Sequence, residues 1–507
     1  MTSNNMLFDQ LFAAHQDSEK IFLHTVQTDY SYAQFHQLVN QLANALLQTG
    51  LKTGDRVAVQ AAKSVTQLAL YVATIKAGGV YLPLNTSYTA FELDYFITNA
   101  DASIVVVSDK AEADIAPIAT RQNARLLTLN ADETGSLTAI ASTSDTRFEA
   151  VSRGAEDLAA ILYTSGTTGR SKGAQLCHRN LVSNTLVLRD FWQFTSDDVL
   201  LHMLPIYHTH GLFVACNLLA FVGGSMIFLP RFDADHAVQY MKQATTMMGV
   251  PTFYTRLLDD SRFDAGLSNH MRLFISGSAP LLAETHKQFE ARTGKQILER
   301  YGMTETNMST SNPYDGARIA GTVGVPLPGV ELRIADSKNG EELPDGEIGI
   351  IELKGDNVFT GYWQMAEKTA ESFRDDGYFI TGDMARIDEN GYVVIVGRDK
   401  DLIISGGLNI YTKDIESLID TIDGGLVESA VIGATHPDFG EGVIAVIVTA
   451  EASLTQADIM AFLGDKLAKF KQPKTCIFVE ELPRNTMGKV QKAALRERHQ
   501  QIFNTSS

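Results

Sequence analysis

The sequence predicts an α/β protein. It reads as a large N-terminal domain of two layered α/β subdomains plus a small β-barrel subdomain, followed by a small C-terminal α/β domain. Three observations carry this. Helix-like and strand-like patterns alternate from the start of the chain and again over residues 230–310, which implies layered sheets that are mainly parallel. Short β runs, glycines and prolines take over after about residue 320, as in a small barrel. Alternation then resumes beyond a charged patch, Asp399-Lys400-Asp401.

Taken in order, Tyr32 to Gln48 has helical spacing, Arg56 to Gln60 is a short β-rich run, and Val65 to Ala77 is helical up to Gly78-Gly79. Ser103 to Ser108 is an apolar strand, as are Leu158 to Leu162 and Met271 to Ser276. Pro280 to Thr293 reads as a helix stopped by Gly294, the residue that most readily takes a left-handed cap. Gln296 to Glu299 is strand-like. The β-rich part, about 320–398, has strands at Glu331 to Ile334, Gly349 to Leu353 and Tyr392 to Val396. The last hundred residues hold helices at Thr412 to Ile422 and Thr455 to Leu467, with strands at Glu428 to Gly433 and Gly442 to Thr449. The predicted division is therefore 1–398 and 399–507.

A chain of 507 residues exceeds what one core supports and fits two to four domains. The formal charge of −18 argues against general binding to nucleic acid or an anionic membrane. Any anion site must then be built locally from backbone N–H groups, Lys and Arg. Cys177, Cys216 and Cys476 form no CxxC pair, as expected of incidental thiols in a reducing compartment. Met1 to Phe12 has no signal-peptide pattern. Gly211 to Pro230 is 20 residues without a charge, long enough to span a membrane. Asn217 and the break at Gly223-Gly224-Ser225 instead favour a buried helix, a turn and a buried strand. The expectation is a cytoplasmic protein without integral membrane contact.

The chemistry begins at Tyr163 to Gly173 (YTSGTTGRSKG), after an apolar strand. Gly166, Gly169 and Gly173 let backbone N–H groups surround a phosphate. Thr164, Ser165, Thr167, Thr168 and Ser171 add hydroxyls, and Lys172 adds a charge. It is not the Walker pattern, because Ser171 stands where the second glycine belongs. Further along come Tyr301-Gly-Met-Thr-Glu305, Tyr378 to Asp383 (YFITGD), Gly397-Arg398 and Pro483 to Lys489 (PRNTMGK).

Together, in this order and over nearly the whole chain, these segments resemble the adenylate-forming superfamily of acyl-CoA synthetases, luciferases and nonribosomal adenylation domains. The resemblance implies an ATP-dependent acid–thiol ligase that makes an acyl-adenylate and then an acyl-CoA thioester, using ATP, Mg²⁺ and CoA. It implies that Thr164, Ser165, Gly166, Thr167, Thr168, Gly169 and Lys172 grip the phosphates. Tyr301 would stack on adenine, Thr304 would bond the α-phosphate, and Glu305, with Thr167, would hold the metal. Asp383 and Arg398 would take the ribose. Ser278, Ala279, Glu299, Arg300, Gly302 and Met303 complete the nucleotide set. Lys489 would bridge the reacting carboxylate and the α-phosphate, where a mobile cation offsets the repulsion of two anions. The small C-terminal domain would be mobile about a hinge at Lys400, presenting Ser405, Gly406 and Gly407 to CoA. His208 matches the histidine that lines the acyl pocket, with His210 as the fallback. The two lack the helical spacing and partner carboxylate of a zinc site.

For the acid, the chain most resembles the short malonyl-CoA synthetases, in Gly249 to Leu258 (GVPTFYTRLL), Met271 to Pro280 (MRLFISGSAP) and Leu298 to Met303 (LERYGM). A second carboxylate needs a buried cation, and Arg is its natural bidentate partner. Arg256 is the first candidate, with Ser278 as a neutral partner and Met303 narrowing the pocket. Methylmalonate, a short- or medium-chain fatty acid or an aryl acid are the alternatives. A stand-alone domain loading a carrier-protein thiol, and a non-enzymatic acyl-AMP-binding protein, are further ones. The sequence leaves the oligomeric state open.

Overall fold

The computed structural model describes residues 5–164, 171–405, 408–422, 425–436, 439–450, 454–464, 466–467, 469–485 and 488–503. Local signals account for the principal elements. Helix Tyr32–Gln48 begins at a capping box in which Ser31 and Gln34 satisfy each other's backbone N–H groups. Its buried Phe35, Val39, Leu42 and Leu46 follow the helical repeat. Helix Val65–Lys76 is buried at every position, its polar Gln67, Thr74 and Lys76 enclosed along with its apolar residues.

Two large sheets form the body. In the first, strands Arg125–Thr128, Ala102–Val107, Arg56–Val59, Val80–Pro83 and Leu158–Thr164 run parallel in that spatial order, and Lys172–Cys177 closes the edge antiparallel. The second has nine strands. Its centre is the parallel series Ile297–Met303, Leu273–Ser276, Thr246–Gly249, Val199–His202, Ser225–Phe228 and Ile21–His24, and antiparallel strands sit at both edges. One continuous apolar core reaches from Leu7 to Val393. The β-rich stretch forms a four-stranded antiparallel sheet, Glu331–Ala335, Gly349–Lys354, Phe379–Ile387 and Val393–Arg398.

The C-terminal segment has its own sheet, centred on Gly440–Thr449. Val443, Ala445 and Ile447 pack on one face of that strand and Ile444, Val446 and Val448 on the other, so its apolar run is unbroken because both faces are covered. Leu402 and Tyr411 pack against Ile350, Met384 and Val396 of the four-stranded sheet.

Three differences from the sequence reading matter. The strand read as ending at Glu299 continues to Met303, because Arg300 to Met303 pair with Asn307–Ser311. The charge-free stretch is helix, turn and strand as expected, but its first part, His210–Cys216, is a π-helix. The helix expected from Pro280 begins at Ala283. No helix of the described residues is long and apolar enough to cross a membrane.

Candidate active site

Strands Val199–His202, Thr246–Gly249, Leu273–Ser276 and Ile297–Met303 are mutually parallel, so their carboxyl ends emerge on one side. Ligands of open α/β sheets bind there. The segments leaving these strands carry His208, Ser278, Thr304 and Glu305.

Strand Ile297–Met303 sends neighbouring side chains to opposite faces. On one face the Tyr301 hydroxyl donates to Asp383 Oδ2 at 2.6 Å. Arg398 Nε lies 2.7 Å from the other oxygen, Oδ1. Burial, and then Asp383, push the Tyr301 phenol well above its usual value. The Asp383 charge holds Arg398 firmly protonated. The strand can follow this path because Gly302 lacks a side chain: a Cβ there would stand 1.8 Å from the Asn307 carbonyl oxygen. Glu305 is buried, and its Oε1 accepts the Tyr362 hydroxyl proton at 3.0 Å. Desolvation raises its carboxyl. Lys172 sits 4.5 Å over the Tyr362 ring, and burial lowers its ammonium while Glu305 opposes that shift. Tyr362, 57 residues beyond Glu305, belongs to none of the recognised motifs, and sequence reasoning missed it.

On the other face lies Arg300. It is 3% exposed, and neither Nε nor Nη2 has a hydrogen-bond partner among the described residues. Burial lowers it to about 9. A Cβ on Gly277 would stand 2.4 Å from the guanidinium carbon, so only glycine lets this side chain cross the loop. Ser278 follows at φ +70°, and its Oγ is 3.3 Å from His210 Nδ1. Burial, then Lys489, then Arg300 lower His208 to about 3. His208 is therefore a neutral ring flanked by both cations.

Arg256 is corrected. Helix Pro251–Leu258 buries Tyr254 and Leu257, and the helical repeat turns Arg256 to solvent. The Tyr254 hydroxyl is spent on the Ile275 carbonyl. Arg300, first read as a nucleotide contact, is the buried cation of this region. Glu299, two residues before Tyr301 on the same strand, is 3.5 Å from His286 and accepts from the Gly321 N–H at 3.3 Å. Met303 Sδ is 3.8 Å from the Tyr301 hydroxyl. Ala279 is partly buried in the loop after Ser278.

Lys489 keeps accessible surface, yet its ammonium is crowded by protein. Desolvation and then Arg398 lower it, while Asp383 and Glu305 oppose them. Arg398, Asp383, Arg300 and Glu305 thus all lie within electrostatic reach of the ammonium. Lys400 belongs to the 3₁₀ turn Asp399–Asp401 and is lowered to about 8, chiefly by burial. The adjacent Asp401 pairs with Arg496 at 2.6 Å. Ser405 is buried at the end of strand Ile403–Ser405. Thr164 lies opposite Lys172 where strands Leu158–Thr164 and Lys172–Cys177 pair. Ser165, Gly166, Thr167, Thr168, Gly169, Gly406 and Gly407 lie outside the described residues. Lys172, Arg398 and Lys489 lie within electrostatic reach of the carboxylates Asp383 and Glu305, and Arg300 lies within reach of Lys489 and His208.

Residues 11–363 match the AMP-binding enzyme family and residues 414–489 its C-terminal domain. The chain is 36% identical to a malonate–CoA ligase of Arabidopsis thaliana over 88% of this chain and 78% of that protein. It superposes on ATP-bound MatB from Rhodopseudomonas palustris with a TM-score of 0.97 at 58% identity, covering 99% of this chain and 100% of the other. Against apo MatB, at the same identity and coverage, the score is 0.85. The chain belongs to the AMP-binding enzyme family.

Proposed function

We propose that this enzyme joins malonate to coenzyme A with consumption of ATP, through a malonyl-adenylate, releasing AMP and diphosphate. The observation that carries the choice of acid is Arg300. A buried guanidinium with two unpartnered nitrogens is costly unless an anion meets it, and a carboxylate satisfies it bidentately. Relatives named for malonate, in Arabidopsis thaliana and Mus musculus, support the same acid. In this reading Arg300 holds the distal carboxylate, Ser278 adds a neutral hydrogen bond, and His208 lines the pocket.

The proximal carboxylate attacks the α-phosphorus of ATP. Lys489 stands between the two anions and stabilises the charge that develops. Tyr301 faces the adenine, Asp383 and Arg398 the ribose, and Thr164, Lys172 and Thr304 the phosphates. Glu305 fits a magnesium ion: it is a buried hard-oxygen ligand that accepts from the neutral Tyr362 hydroxyl and keeps acceptor capacity for a metal. No group of three potential ligands exists among the described residues, so phosphate oxygens and water would complete the shell. When bound, the metal would neutralise phosphate charge.

For the second half-reaction we place the domain boundary at 398/399. Rotation about Lys400 would withdraw Lys489 and bring Ser405, Gly406 and Gly407 to the CoA thiol. The higher TM-score against the ATP-bound relative than against its apo form supports reading the present arrangement as the adenylating one.

The test is pyrophosphate release over malonate, methylmalonate, acetate, fatty and aryl acids, for Arg300→Ala and Arg256→Ala. Removing one partner of a buried charge pair costs on the order of 10²-fold or more. Arg300→Ala is expected to lose that on malonate while sparing acetate, and Arg256→Ala to change neither. Equal losses on malonate and acetate in Arg300→Ala would refute the carboxylate clamp.

A further inference from the structure

Beneath the acid side of the cleft lies a polar chain that the reaction does not use. Lys63 Nζ is 2.7 Å from His202 Nδ1 and 3.0 Å from the His202 carbonyl oxygen, and it stands 4.3 Å over the Phe228 ring. Three acceptors therefore face the three N–H bonds of an ammonium. On the far side of the imidazole, His202 Nε2 is 2.8 Å from the Gly211 carbonyl oxygen. Cys216 Sγ lies 3.2 Å from that oxygen and 3.4 Å from Nε2. Gly211 and Cys216 belong to the π-helix His210–Cys216, and its first residue, His210, meets Ser278 at 3.3 Å. The His210 N–H points to His208 Nδ1 at 3.5 Å.

We propose that Lys63 is a positioning residue for the acid pocket, acting through the tautomer of His202. An ammonium has no lone pair, so Nδ1 must accept from it, and the single imidazole proton must sit on Nε2. Only that tautomer donates to the Gly211 carbonyl; the other would set two lone pairs against each other. Burial and the neighbouring Lys63 keep His202 neutral, well below its usual value, so the tautomer is the variable that counts. Gly211 itself is pinned, since a Cβ there would stand 2.1 Å from the Pro205 carbonyl oxygen. π-Helical turns are uncommon and cluster at functional sites. Here the buried dyad holds one in register, and the register sets where His210, His208 and Ser278 stand. The groups titrating against Lys63 are His202 and Cys216. Burial lowers Lys63 to about 7, and Cys216 opposes this.

The inference rests on the reading that His208 and Ser278 border the acid, but its first test does not. Nitrogen-15 histidine spectra of the full-length protein at about pH 6, below the Lys63 value, are expected to show His202 as the Nε2–H tautomer. The signal is assigned by its loss in His202→Gln. An Nδ1–H or mixed form in the wild type overturns the proposal without any variant having to fold. Kinetically, Lys63→Met is expected to raise KM for malonate about tenfold, the loss of roughly one hydrogen bond, with kcat and KM for ATP within about twofold. Lys63→Arg, which keeps a donor toward Nδ1, and His202→Gln, whose amide keeps one toward Gly211, are expected to restore malonate KM. Equal rises in both KM values, or no rescue by His202→Gln, would mean a role in general packing only. A correct tautomer with a rescued KM for some other acid would preserve this inference and refute malonate.

Discussion

Tyr301 and Asp383, 82 residues apart, share a hydrogen bond of 2.6 Å that ties the nine-stranded sheet to the four-stranded one. Because Arg398 takes the other carboxylate oxygen, Asp383 is fixed from two sides before any nucleotide arrives. Tyr301→Phe removes the hydroxyl and keeps the ring. The proposed stacking on adenine should survive, while Asp383 loses one of its two anchors. The expected result is a rise in KM for ATP of about three- to tenfold, the worth of one charge-assisted bond, with kcat for malonate little changed. A fall in kcat at constant KM would show that the hydroxyl acts in the chemical step.

The readable part of the fold is the part in which local pattern and burial agree. Tyr32–Gln48 was legible because its cap and its apolar stripe are both written in sequence. The same periodicity could have removed Arg256 from the site, since Tyr254 and Leu257 mark the buried face of that helix. Arg300 carried a signal of its own: an arginine in the middle of a strand whose first five residues are buried calls for a partner. Which face of the strand meets which element cannot be read from one strand, so its role waited on Gly277. The π-helix was illegible, because its extra residue per turn is decided by packing, through His202, Cys216 and Gly211, and not by propensity.

Lys489→Ala separates the half-reactions. The ammonium is within electrostatic reach of Arg398, Asp383, Arg300 and Glu305, the groups between which the proposed reaction would bring its two substrates together. Malonate-dependent ATP–pyrophosphate exchange is expected to fall on the order of 10²–10³-fold, as when one transition-state donor is removed. Thioester formation from supplied malonyl-adenylate should be largely retained. Comparable loss of both steps would assign Lys489 to a structural role.

The buried surroundings of Glu305 disfavour its charged form. Desolvation raises its carboxyl above the ordinary carboxylate range, so near neutrality the charged form weakens the folded state. The sign follows from proton binding: as pH falls through the raised value the native state takes up a proton that the unfolded state does not yet bind, and stability rises. In the metal-free protein, Glu305→Gln should therefore raise Tm at neutral pH, on the order of 1–2 °C. The difference should shrink as pH falls toward the raised value. Magnesium-dependent adenylation should be lost in the same variant, the trade of stability for function expected at a ligand site. Thermal scans of both proteins across pH test this, and a lower Tm for Glu305→Gln near pH 7 would contradict it.

Gly277→Ala probes the acid side by geometry alone. The new methyl would stand 2.4–2.6 Å from three atoms of the Arg300 guanidinium, closer than carbon tolerates. Arg300 is the movable partner, because a flexible side chain yields before a strand end does. Its displacement should reproduce the Arg300→Ala phenotype without removing the charge: kcat/KM for malonate down on the order of 10²-fold, and KM for ATP within a few fold. Tyr301 and Asp383 lie on the opposite face of the strand, so the nucleotide side offers an internal control. If Gly277→Ala instead raised KM for ATP and malonate together, the two faces would be coupled through the strand itself, and the division of labour between Arg300 and Tyr301 would be wrong.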